Sequence, residues 1–407
     1  MGAALALAWP GGAAFAQSPE APLGFSIGPS VNVEHDSNVL RTAATGGFAP
    51  AQGDTISSYD LVGGLHETYG REEVNASASI GRVLYGHLRQ FDYTQQDIRA
   101  GLRSSLPLDI NVDLGATRSV QLAHFSDINS ASRDVIAHNQ ASAGFDVPLL
   151  VRQWRGVLNG EGLQVRNSDP GLQTQDYNEG GASAGIRYAP TTGNHIDLLG
   201  RATHGMYPNA TPATLLGRSY LEHGADLTID WTFNGASRAL GHAGFVRRRS
   251  QAVPFLYNYF TGNTIYLKRD FAGPAYDLTY LWQATAATRV TLLAARSTGA
   301  AGDNNYLAAV LRSYRVTPAF QVTNKLALNA YGEWNQRSYF SDIYAAYYGA
   351  GTERRDHTRN AGLGAAWTPW RWLQATLDVH RETRSSTIGI WSYGDSVASL
   401  GVQATFQ

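Results

Sequence analysis

The chain has 407 residues, no cysteine, and 32 Lys plus Arg against 33 Asp plus Glu, a formal net charge of −1. Near-neutrality without a basic cluster excludes a nucleic-acid surface, which needs concentrated positive charge to meet phosphates. The missing cysteines exclude a disulfide framework and thiolate chemistry. Only 16% of residues are charged and mean hydropathy is −0.25, yet no run approaches the ~20 apolar residues of a membrane-spanning helix, so neither an ordinary soluble domain nor a helical membrane protein fits.

At the start, "ALALAWPGGAAFA" precedes "QSPEAP" and ends small-x-small at Ala14, Phe15 and Ala16, the form of a secretory cleavage site. No Lys or Arg precedes it. We therefore expect a signal peptide at 1–16 with a truncated n-region, followed by one mature domain at 17–407. Next, Phe25, Ile27, Pro29, Val31 and Val33 alternate along one face before His35, Asp36, Ser37 and Asn38 arrive together. Asp36 and Asn38 open like a calcium loop, but Leu40, Arg41 and Gly47 stand where an oxygen ligand, Gly and Glu belong. "DINSASRD" at 127–134 fails in the same way at Ala131. The polar cluster is read as the point where a first membrane strand meets water, with a rim hydrogen bond from Asp36 and Asn38 holding the first loop.

Two-residue alternation recurs to the end of the chain, the signature of half-buried strands. Leu108, Ile110, Val112, Leu114 and Ala116 oppose Asp109, Asn111, Asp113 and Thr117. Leu221, Ala225, Leu227, Ile229, Trp231 and Phe233 oppose Glu222, Asp226, Thr228, Asp230 and Thr232, and Ala398 to Phe406 repeats the pattern. Tight turns at 70–73, 106–109, 148–152, 190–194, 234–237, 286–289, 323–325 and 368–372 take turns with longer polar connections. Short and long loops in strict alternation, with no helical periodicity, predict an all-β fold: a closed antiparallel transmembrane β-barrel of about 18 strands, 16 being the nearest alternative. Its short turns would be periplasmic and its long loops extracellular. Trp231, Phe233, Trp367, Trp370, Trp372, Tyr69, Tyr85, Tyr188 and Phe406 lie near predicted strand borders, as interfacial aromatic girdles do.

Alternation turns Asp97, Arg99, Arg103, Asp109, Asp113, Asp146, Arg155, Glu161, Asp197, Arg201, Asp226, Asp230, Glu333 and Asp378 inward, and these are the candidate pore-lining residues. Glu222 and Glu382 share that side. A barrel this wide holds water unless loops fold in. Acids and bases are mixed along the wall, with some excess of acid. The segment from Arg247 to Asp270 opens with Arg247, Arg248 and Arg249; it could constrict the pore, grip lipopolysaccharide phosphates, or be an ordinary loop. The 11 histidines are scattered, with no nucleophile elbow or zinc spacing. His138 and His380 are expected as solvated wall residues. No enzyme activity, metal or cofactor is expected, and outer-membrane lipid and lipopolysaccharide are the expected partners.

Three stretches carry a resemblance: "VEHDSNVLRT", "GDTISSYDLVGGL" and "RRDHTRNAGLGAAWTPWRWLQATLDVHRETRSS". They resemble the outer-membrane β-barrel porin family associated with exopolysaccharide biosynthesis, His35 replacing the aromatic usual before the early Asp. The resemblance spans nearly the whole mature chain through short motifs. It implies a Gram-negative outer-membrane pore linked to polysaccharide secretion, with an exopolysaccharide and periplasmic secretion components as partners, and it supplies no catalytic residues. A general diffusion porin for small hydrophilic solutes is the nearest alternative; a barrel enzyme and a structural anchor stand further off.

Overall fold

The computed structural model describes residues 24–43, 50–126, 131–151, 153–191, 193–211, 217–258, 263–300, 306–342 and 353–407. The expected signal peptide at 1–16 lies outside them. The alternating stretches become strands. These are β1 (Gly24–Asp36), β2 (Asp54–Tyr69), β3 (Glu72–Tyr85), β4 (Tyr93–Leu106), β5 (Ile110–Leu122), β6 (Val135–Pro148) and β7 (Trp154–Asn167). The middle of the chain supplies β8 (Tyr177–Thr191), β9 (Asn194–Met206), β10 (Ser219–Asn234), β11 (Ser237–Ser250), β12 (Val253–Asn258), β13 (Asn263–Leu267) and β14 (Phe271–Gln283). The last are β15 (Thr288–Ala300), β16 (Tyr306–Thr323), β17 (Leu326–Asp342), β18 (Arg355–Trp370), β19 (Leu373–Ser386) and β20 (Tyr393–Ala404).

Eighteen of these form one antiparallel sheet in which sequence neighbours pair and β1 closes on β20. The other two, β12 and β13, make a separate hairpin, and β11 pairs directly with β14. The sheet is therefore the expected 18-stranded closed barrel. Closure leaves no row of N–H and C=O groups facing lipid, where each would cost several kcal/mol. The alternation of short and long connections is as expected, and β1 begins and β20 ends at the short-turn end.

The wall has two unlike faces. Phe25, Leu61, Leu158, Leu198, Leu363 and Leu400 point outward and are more than half exposed. Spread around a soluble protein such a belt would be a liability; around a lipid-immersed barrel it is the surface the solvent requires. At the short-turn end aromatic rings gather as expected: Trp154 lies 5.1 Å from Tyr188, Trp370 stacks on Trp372 at 5.6 Å, and Trp372 on Phe406 at 6.2 Å. Tyr85 is a correction to the girdle. It is buried on the inward side near the long-loop end, 5.9 Å from Phe91. The tight turn expected at 106–109 is present, and Leu108 and Asp109, which the alternation also set on the strand faces, belong to it and not to β5. Pro107 cannot donate to the ladder, and Leu108 and Asp109 take φ of 66° and 60°, the left-handed pair that matches hairpin twist.

Charge is sorted as sharply as hydrophobicity. The register between neighbouring strands sets Arg82, Arg118, Arg166, Arg247, Arg249, Arg296, Arg312, Arg359 and Arg381 on the outward face, all toward the long-loop end. Among side chains described on the strands, the outward acids are Glu67 and Glu72, both beside the first short turn. The remaining strand acids face inward.

Closure is tightest where the chain's two ends meet. Ile27 and Phe406 exchange backbone hydrogen bonds of 2.9 and 2.8 Å, and a Cβ on Gly28 would sit 1.8 Å from the carbonyl oxygen of Ala404. Only a residue without a side chain allows that approach. Gly28→Val should therefore block closure: on unheated gels the variant should run as unfolded protein, while Gly64→Val, which would meet mainly the flexible Ser26 hydroxyl at 3.0 Å, should retain a heat-modifiable barrel band.

Candidate functional site

The inward faces of β5 to β11 carry acids and arginines at heights where neighbouring strands bring them together. Arg155 reaches Asp109 at 2.6 Å with one nitrogen and Asp146 with another. Arg187 donates to the second oxygen of Asp146 at 2.7 Å and clasps both oxygens of Asp197 at 2.7 and 2.8 Å. Asp109, Arg155, Asp146, Arg187 and Asp197 thus form one unbroken ladder around the wall. Arg238 clasps Asp230 at 2.8 and 2.7 Å. Arg201 lies 3.3 Å from Asp226 and 3.5 Å from Glu222, which Arg248 approaches at 3.0 Å. These paired forks fix geometry as well as charge.

A cavity of about 500 Å³ opens against this wall, lined by Asp113, Glu161, Arg187, His195, Asp197, Arg201, Asp226 and His242. The remaining expected wall residues also face inward. Arg99 pairs with Asp97 at 2.9 Å, and Arg103 with Asp113 at 2.9 Å and Glu73 at 3.6 Å. Their side chains are roughly half exposed or more except for Glu73, so they contribute little to stability, on the order of 0–1 kcal/mol a pair, and act mainly as fixed charge. Across the lumen Glu333 meets Arg315 at 3.5 Å and Asp378 meets His380 at 2.8 Å. Arg187, the centre of the ladder, escaped the sequence reading, although it shares the face of Ser183 and Glu179.

At the long-loop end the wall is crossed from inside. The segment after β5 leaves the rim and turns into the lumen, where Arg384 on β19, about a third of the way round the ring, donates to the carbonyl oxygen of Ser126 at 2.7 Å. Ala123, His124 and Phe125 border a pocket of about 60 Å³ with Glu34, Asp36, His380, Glu382 and Val397. That is room for about two waters. Phe125 packs edge-on against Phe91 at 4.8 Å, and Val39, Leu40, Ile56, Val83, Tyr85, Leu88, Tyr93 and Leu122 complete the apolar cluster. Three connections, 37–43, 86–92 and 123–126, are thereby knitted into a shelf inside the mouth. Among the described residues this segment folds inward. In the 247–270 stretch alternation sends Arg248 inward and Arg247 and Arg249 outward, and residues 259–262 of its hairpin lie outside the described residues, as do 127–130 of the second calcium-like stretch.

The opening polar cluster of the chain belongs to the shelf. Instead of meeting water, Asp36 and Asn38 are each only 3% exposed. Asp36 accepts from the backbone N–H of Asn38 at 2.7 Å and from Arg41 at 2.6 Å. Asn38 donates to the carbonyls of Thr42 and Gly394 at 3.0 and 3.2 Å, so the expected hydrogen bond that holds the first loop is present. Arg41 also reaches Asp395 at 3.2 Å. Burial alone would lower the proton affinity of Arg41; Asp36 and Asp395 outweigh it and hold the guanidinium above its ordinary value. Beside it, Arg384 pairs with Asp356, and Arg354 with Asp356 at 2.9 Å, its guanidinium 3.6 Å from the Trp391 ring centre. Among the described residues no three His, Asp or Glu side chains gather as a metal cage, and the oxygens of Asp36 are already taken by donors.

Residues 267–406 match the family model described as "Putative beta-barrel porin 2". No curated protein matches the chain significantly. Among solved structures, Pseudomonas aeruginosa OccK9 (OpdG) aligns over 94% of this chain and 98% of its own at 9% identity, with a TM-score of 0.50, which bears on the fold alone. Pseudomonas aeruginosa OpdK, solved with vanillate, and Acinetobacter baumannii OccAB3 each align over 94% of this chain and 99% of their own at 10% identity and a TM-score of 0.49. The lipid-facing belt and the closed 18-stranded sheet make this chain a bacterial outer-membrane β-barrel, and its last third matches the porin model.

Proposed function

We propose that the chain is a passive, water-filled channel that conducts small hydrophilic solutes across the outer membrane and favours cations. The observation that carries this reading is the sign of the luminal wall: among the described residues, inward-facing strand acids outnumber inward-facing arginines by nearly two to one. Paired arginines cancel part of that field, and the surplus carboxylates raise the local concentration of cations in the narrow, low-dielectric tube. The inward-folded shelf supports a limit on solute size. In planar bilayers under a KCl gradient, the reversal potential should have the sign of K⁺ preference; a Cl⁻-selective channel, or correctly folded protein without conductance, would sink the proposal.

Passage of a bacterial exopolysaccharide is the second reading, supported by the early and late motifs. Sugar hydroxyls could exchange water for the acids, amides and arginines of the wall at many weak sites, so that a chain both enters and leaves. Deletion of the gene should then leave polymer in the periplasm, and undiminished secretion would remove this reading while leaving the small-solute channel intact.

Two substitutions test how the wall works. Arg187→Gln leaves Asp146 and Asp197 with less counter-charge, so selectivity for K⁺ should rise while single-channel conductance changes little; a shift toward Cl⁻ would contradict the assignment. Arg384→Ala removes the anchor of Ser126 and one partner of a buried ion pair, a loss worth roughly 3–5 kcal/mol where no second partner remains. Arg354 still holds Asp356, so the barrel should survive and the shelf should loosen. Conductance should increase and become noisier, and an unchanged trace would show that the segment does not limit the pore.

A further inference from the structure

The luminal arginines are mostly neutralised by protein acids, whereas Arg296, Arg312 and Arg359 on the lipid side are not. On the outward face of β14 to β18, Arg296 opposes Arg312 and Tyr276, and Arg359 opposes Trp334. Aromatic rings are interleaved, with Tyr314 5.6 Å from Trp334 and Trp334 5.9 Å from His357. Among the described residues no carboxylate lies within ion-pair distance of Arg296, Arg312 or Arg359. The Nε of Arg296 is buried without a hydrogen-bond acceptor.

Position along the strands says what these cations meet. Arg312 stands eight residues above the exposed Phe320, and Arg359 eight above the exposed Trp367. At ~3.3 Å per residue on a strand tilted ~40°, that is a rise of about 20 Å. The apolar band is ~25 Å tall, so side chains that snorkel upward bring their guanidinium groups to the outer headgroup layer. An arginine there with no protein counter-ion needs an anion from the membrane, and a phosphate oxygen pair fits its planar fork. The absence of outward acids toward the same end, among the described strand side chains, removes any repulsion, while Glu67 and Glu72 mark the opposite leaflet.

We propose that the Arg296, Arg312 and Arg359 patch is a binding site for the phosphorylated headgroup of an outer-leaflet glycolipid, with the neighbouring aromatic rings seated at the sugar and acyl boundary. The site is independent of conduction through the lumen.

The test uses the folded full chain in detergent, titrated with bisphosphorylated lipid A, with dephosphorylated lipid A and with inorganic phosphate, and followed by native mass spectrometry and the thermal unfolding midpoint. The wild type should bind the bisphosphorylated lipid and gain thermal stability, with far weaker effects from the other two. R296Q/R312Q/R359Q should lose roughly a hundredfold in affinity for it and keep wild-type conductance, while R296K/R312K/R359K should retain part of the affinity. If the triple Gln variant fails to fold, Arg359→Gln alone, at an exposed position, should still weaken binding severalfold. Equal binding of the two lipids by the wild type, equal stabilisation by inorganic phosphate, or undiminished binding by the Gln variants would overturn the proposal. Loss of an oligomer in the triple variant with lipid binding intact would overturn it too, identifying the patch as a contact between copies.

Discussion

Hydrocarbon offers no molecule that can hydrogen-bond a peptide group, and from that single absence the architecture follows. Each strand must find partners on both sides, so the sheet must close, and β1 must meet β20. Closure in turn fixes which side chains see lipid and which see the interior. A chain with 16% charged residues can live in a membrane because nearly all its acids are carried on the face that the closed sheet turns away from lipid. The polarity of the lumen and the hydrophobicity of the belt are two consequences of one alternation.

This explains how much of the fold was legible beforehand. Period-two alternation and the rhythm of short and long connections are local properties, and they were enough for the strand number, the closure and the inward face of residues such as Asp230, though not for its partner Arg238. Contacts between distant loops have no local signature. The shelf built from 37–43, 86–92 and 123–126 depends on where three loops meet in space, and nothing in the residues around Phe125 says that they will turn inward. The buried state of Asp36 and Asn38 was hidden for the same reason: read along the chain they are a burst of polarity, and only the approach of Gly394 and Asp395 from the other terminus turns them into interior groups. At 106–109 two local signals overlapped: Pro107 marked the turn that is there, while the alternation ran on through Leu108 and Asp109 although the ladder does not.

The charge distribution gives the barrel three electrical environments. Inside, acids and arginines form ladders with acid in excess; outside and upward, Arg296, Arg312 and Arg359 stand without an acidic partner among the described residues; outside and downward, the acids Glu67 and Glu72 flank the first short turn. Arginine suits the first two places for one reason. Its planar fork binds carboxylates on the wall and phosphates at a membrane surface with the same paired hydrogen bonds, so a chain with only Lys268 and Lys325 for lysines uses one side chain for both tasks.

The seam between first and last strands is short, with register only from Ser30 to Asp36 and the bridge at Ile27, whereas neighbouring hairpins pair over most of their length. A barrel is mechanically weakest at such a line, where lateral tension in the bilayer would unzip it. The first loop lies across the top of that line: Ser37 bonds to the backbone of Ser396, Asn38 to Gly394 and Arg41 to Asp395. The strip "HDSNVLR" is in this sense a clasp, fastened only after the last strand has arrived, so that the final event of assembly also locks the wall against sideways opening.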